Sequence, residues 1–138
     1  MDILVVVVVV FIVIAVVAII VSSSGGGAGQ AEWKKVAKSN IYKAESKLSS
    51  SNYYEVKDSL VELDKLLDYV LKSKRVKGET LGERLKNASS MFSKNDYNAL
   101  WSAHKLRNQM VHEVEHNINI NMIKNNSRVV ASILKKTI

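Results

Sequence analysis

Residues 3–21 are an unbroken run of Val, Ile, Leu, Phe and Ala, 19 residues with no charge and no polar side chain. No other feature restricts the fold so severely. At about 1.5 Å per residue such a segment as a helix matches the roughly 30 Å of a bilayer's hydrocarbon core. A lone strand in lipid would leave its backbone groups unpaired, so the run predicts a single transmembrane helix over residues 1–21. No basic residues precede it, and it is longer than a typical signal-peptide apolar region, so an uncleaved anchor is expected. Lys34, Lys35 and Lys38 follow closely, which predicts the remaining chain on the cytoplasmic side. Residues 22–30, rich in Ser and Gly, read as a flexible linker.

Residues 31–138 are enough for one modest core and too few for two domains with a cleft between them. The first 30 residues carry only Asp2, so this part holds 12 acids against 20 Lys and Arg, a charge of +8. That balance attracts phosphate backbones and anionic headgroups, and equally serves solubility. With no cysteine, disulfides, thiol nucleophiles and Cys-based zinc sites are excluded. Proline is absent, and only Gly78 and Gly82 interrupt the sequence after residue 30.

Periodicity predicts an all-α fold, an up-and-down bundle of four to five helices. Helix one is expected at about 30–49, with Trp33, Val36, Ala37, Ile41, Ala44 and Leu48 on one face. Helix two, at about 53–74, aligns Val56, Leu60, Leu63, Leu67, Val70 and Leu71, bordered by Asp64. Thr80 with Glu83, and Ser93 with Asp96, have the spacing of helix-starting caps for helices three and four. Helix three is expected to reach Phe92. Helix four offers Leu100, Ala103, Met110, Val111 and Val114, and a fifth offers Ile123, Val130, Ile133 and Leu134.

Chemistry concentrates in residues 101–113. Arg107 falls within the apolar stripe of helix four, where a solvated charge does not belong, so it is expected to be paired or to line a cleft. Asp64 and Asp68 on helix two are its natural partners, and an Arg–Asp clasp that only fixes register is one reading. Asn108 and His112 lie one turn apart, and His104 is one turn before Asn108. A histidine at a helix C-terminus ordinarily makes a favourable dipole contact; the same residue type can act as a base near neutral pH.

Arg107-Asn108-Gln-Met-Val-His112 resembles the R-x4-H motif of the HEPN superfamily, helical domains whose active members are metal-independent endoribonucleases that pair two copies across a dimer interface. The resemblance implies His112 as general base on a ribose 2′-hydroxyl, Arg107 as stabiliser of charge on the phosphate and Asn108 as the residue that orients the scissile group. Asp64, Asp68 and His104 would support them. It implies RNA as substrate, a homodimer, and no cofactor or metal. Many relatives are inactive adaptors, so the alternative expectation is a non-catalytic, membrane-tethered interaction module. His112-Glu-Val-Glu-His116 also spells H-E-x-x-H, the zinc-protease signature, but no Asp, Glu or His follows His116 to supply a third ligand.

Overall fold

The computed structural model describes residues 3–112 and 118–138, without the side chains of residues 4, 20–26 and 28. Among the described residues there are five α-helices and no strands: α1 (Ile3–Ser46), α2 (Tyr53–Ser73), α3 (Leu81–Asn87), α4 (Lys94–His112) and α5 (Ile120–Thr137). Short 3-10 turns follow α1 at Lys47–Ser49 and α3 at Ser89–Met91. The chain divides into two compact units, Met1–Trp33 and Lys34–Ile138.

The first unit is helical through its described residues. Its apolar side chains have no face: Val5, Val8, Phe11, Ile14 and Val17 are all about half exposed or more. Two expectations are corrected here. Residues 22–30, expected as a flexible linker, are part of the continuous α1. Glycine only weakens a helix, by about 1 kcal/mol each relative to alanine, and no proline breaks this one. In addition, among the described residues no helix is long and apolar enough to cross a membrane. The expected single-pass anchor, and the cytoplasmic orientation drawn from it, are overturned by that finding.

The second unit is the bundle. α2 is its centre, touching α3, α4, α5 and the 3-10 turn after α1. Its buried residues, Val56, Leu60, Leu63, Leu66, Leu67, Val70 and Leu71, extend beyond one stripe because neighbours surround it on several sides. α5 packs along it with Ile123, Val130, Ala131, Ile133 and Leu134, and α1 contributes Ala37, Ile41 and Ala44, fully buried. Ion pairs tie the ends. Lys47 sits between Asp58 and Glu62 of α2, and Lys135 of α5 reaches Glu45 at 2.7 Å while lying over the Tyr42 ring. Hydrogen bonds from Lys47 to Asp58 and then Glu62 raise its pKa above the ordinary lysine value.

Local chemistry sets the helix ends. The Asn52 side chain accepts from Tyr54 N, and the Asn119 side chain from Asn121 N. Both cap motifs expected from sequence form: Thr80 Oγ1 accepts from Glu83 N and Ser93 Oγ from Asp96 N. Glu83 closes its end by accepting from Glu79 N at 2.6 Å, a bond that lowers its pKa, with Thr80 N adding to the effect. α2 ends in a Schellman motif, Val76 N donating to Leu71 O and Arg75 N to Lys72 O. The left-handed residue is Arg75, φ 61°, where glycine is usual. A side chain there costs about 1 kcal/mol.

Candidate functional site

α4 buries Leu100, Ala103, Leu106 and Met110. The stripe is rotated from the expected one: Leu106 joins it, while Val111 is half exposed and Val114 lies outside the described residues. Arg107 is therefore at the stripe's edge, with its side chain 27% exposed. His104 and Asn108 flank it, and His104 and Arg107 both meet Asp64, a carboxylate buried in the facing wall of α2.

These four side chains form a ring. Asp64 Oδ1 is 2.8 Å from His104 Nδ1, and Asp64 Oδ2 is 3.5 Å from Arg107 Nε. Arg107 Nη1 donates to Asn108 Oδ1 at 2.9 Å, and Asn108 Nδ2 is 3.3 Å from His104 Nε2. The direction of each bond follows from chemistry. A guanidinium only donates, so Asn108 Oδ1 accepts and its amide nitrogen faces the imidazole. Nε2 must then offer a lone pair, and the proton sits on Nδ1, where the carboxylate accepts it. The ring thus fixes both the tautomer of His104 and the plane of the Arg107 fork. Trp101 packs edge-on against the imidazole, 6.0 Å between ring centroids. Arg107 Nε is buried without a hydrogen bond, its contact with Asp64 being electrostatic only.

The ring opens onto a groove of about 320 Å³ lined by Asp64, Lys65, Asp68, Glu79, Thr80, Leu81, His104 and Arg107. Asp64 is thus the acid that meets Arg107, as the stripe argument anticipated. Asp68, the other candidate, is engaged elsewhere: it pairs with Lys72 at 2.6 Å and with Arg84 Nε at 3.5 Å. His112 is exposed at the end of α4 and is not part of the groove lining. The remainder of the H-E-x-x-H match lies outside the described residues; among the described ones no group of three His, Cys, Asp or Glu is placed to hold a metal.

Arg84 escaped the sequence reading. It is 5% exposed, and its Nη2 donates to Glu79 O at 3.2 Å, fastening the loop after α2 to α3. The signal was present: Leu81, Arg84, Leu85 and Ala88 share one helical stripe, and the argument that singled out Arg107 applies equally to a charge inside that stripe.

No family model, no curated protein and no solved structure matches this chain. The HEPN resemblance accordingly rests on residues 107–112.

Proposed function

We propose that the bundle is a HEPN-like module that binds single-stranded RNA and cleaves it without a metal, with Arg107, Asn108 and His112 carrying the reaction. The observation that supports this most directly is the state of Arg107. Its fork is oriented by Asn108, set against Asp64 by the ring, and still more than a quarter exposed on a groove. A guanidinium held in advance needs little reorganisation to meet phosphate oxygens. His112, one turn beyond Asn108, takes the ribose 2′-proton; the 2′-oxygen bonds to the neighbouring phosphorus, the bond to the 5′-oxygen breaks, and that oxygen is protonated by water. The chain's net charge of +7 favours the approach of a polyanion.

The test is cleavage of end-labelled single-stranded RNA in EDTA by the full chain, kept in mild detergent because its N-terminal apolar side chains are exposed. Cleavage by the parent that falls at least about 100-fold in both Arg107→Ala and His112→Ala is expected. A folded parent that leaves RNA intact refutes the enzyme. A second reading, a non-catalytic protein-interaction bundle, is favoured by the groove's own carboxylates, Asp64, Asp68 and Glu79, which outnumber Lys65 and Arg107. That reading gains if RNA is neither cut nor bound.

A further inference from the structure

The connection from α2 to α3 combines three properties that a merely solvated loop does not need. It is strongly basic: Lys74, Arg75 and Lys77 follow the end of α2, with no acid between Asp68 and Glu79. It is fixed: Asn87 Nδ2 of α3 donates to Lys77 O at 2.9 Å, Arg84 Nη2 to Glu79 O, and Gly78 at φ 144° brings the backbone so near α3 that a Cβ would lie 2.8 Å from Arg84 N. Finally, it holds Arg75 in a left-handed conformation that glycine would adopt without strain. The helix dipole favours an arginine near this end by no more than the left-handed conformation costs, so the strain points to a use for the side chain.

Arg75 and Lys77 are both exposed, and among the described residues neither side chain has an ion-pair partner; Lys86 of α3 is exposed nearby, beside Asn87. The chain then runs directly into Glu79 and Thr80, which line the groove beside Arg107. The loop therefore leads to the rim of the candidate site.

We propose that this fixed basic loop is a second phosphate contact for an extended single-stranded RNA, with Arg75 and Lys77 gripping backbone phosphates of a strand that continues to the Arg107 groove. The proposal rests on the RNA reading above and adds to it the length and direction of the bound strand. A rigid cation array loses little conformational freedom on binding, and phosphate contacts bring affinity without sequence preference.

The experiment follows binding of a labelled single-stranded RNA to the full chain by fluorescence anisotropy across a potassium chloride series, alongside thermal unfolding. Arg75→Gly relieves the strain and removes the charge together. It is expected to raise Tm by about 3–6 °C while weakening RNA binding several-fold and reducing the slope of log K against log salt by about 0.7, the value of one single-strand phosphate contact. Arg75→Lys keeps charge and strain and should retain binding with Tm unchanged. Lys77→Gln, whose backbone bond to Asn87 is untouched, should repeat the loss of slope with no gain in Tm. A rise in Tm with affinity and slope unchanged would mean that Arg75 is only a poor helix cap, and the proposal fails. It fails as well if the parent does not bind RNA, or if the variants lose binding to anionic phosphatidylserine vesicles and not to RNA. Loss of RNA binding in Arg75→Gly by a parent that never cleaves RNA upholds the contact while removing the nuclease.

Discussion

Asp64 and Asp68 stand one turn apart on the same helix, and each faces an arginine at 3.5 Å, yet the two neighbourhoods are built for different ends. At Asp68 the arginine is Arg84, with 6% of its side chain exposed and its remaining contacts spent on holding a loop against α3. At Asp64 the arginine is Arg107, 27% exposed, and the carboxylate also orients a histidine whose second nitrogen is occupied by an amide. The same pair of residue types is a fastening where it is sealed and a candidate binding surface where one edge stays open. Burial, rather than the identity of the pair, decides which.

The difference can be broken by substitution. Arg84→Ala leaves Glu79 O without its bond and Asp68 with Lys72 alone, and should cost about 2–4 kcal/mol in urea unfolding followed by helical circular dichroism. Arg107→Ala, screened by solvent, should cost no more than about 1 kcal/mol by the same measurement. Equal losses at the two sites would dissolve the distinction.

The glycines that face the two regions sharpen it. Gly78→Ala forces a Cβ against Arg84 N from a positive φ and should destabilise by about 2 kcal/mol. At Gly82 an added Cβ meets Trp101, Thr80 and His104 at 3.7–4.0 Å, ordinary contact distances. Gly82→Ala should therefore be neutral or stabilise the protein by up to about 1 kcal/mol in the same unfolding assay.

The smallest effect is in acid. Glu83 holds the start of α3 through backbone N–H groups that favour its ionised form, so its folded pKa lies below the ordinary 4.5. Its contribution to stability is present above pH 4.5 and is lost as the pH falls through the folded value. Glu83→Gln should flatten the pH dependence of Tm below 4.5 and leave the profile near neutrality almost unchanged.

What could be read in advance divides along the range of the forces involved. α2 was expected over 53–74 and is found at Tyr53–Ser73, because an apolar stripe and a capping residue are properties of adjacent residues. The caps at Thr80 and Ser93 were legible for the same reason, as was the meeting of Arg107 with an acid on α2. The start of α1 was not, since the Ser and Gly of residues 22–30 lower helix propensity without forbidding the helix that forms. The rotation of α4 that buries Leu106 and exposes Val111 depends on which neighbours arrive, and no spacing rule contains that. Nor did sequence reveal that His104 would join Asp64 across 40 positions while His112 stayed outside the groove lining.

The placement of α2 bears on how the chain comes to fold. Its most extensive packing is with α5, the element that follows all the others. During synthesis, α2 leaves the ribosome with its apolar face uncovered and waits for more than sixty further residues before that neighbour exists. Until then Leu63, Leu67 and Val70 have no complete set of partners, and the nascent bundle is exposed to wrong associations. The acids and lysines that ring this face help keep the waiting helix in solution. The last turn of α5, with Lys135 closing on Glu45, completes the bundle only after α2, α3 and α4 have all been made.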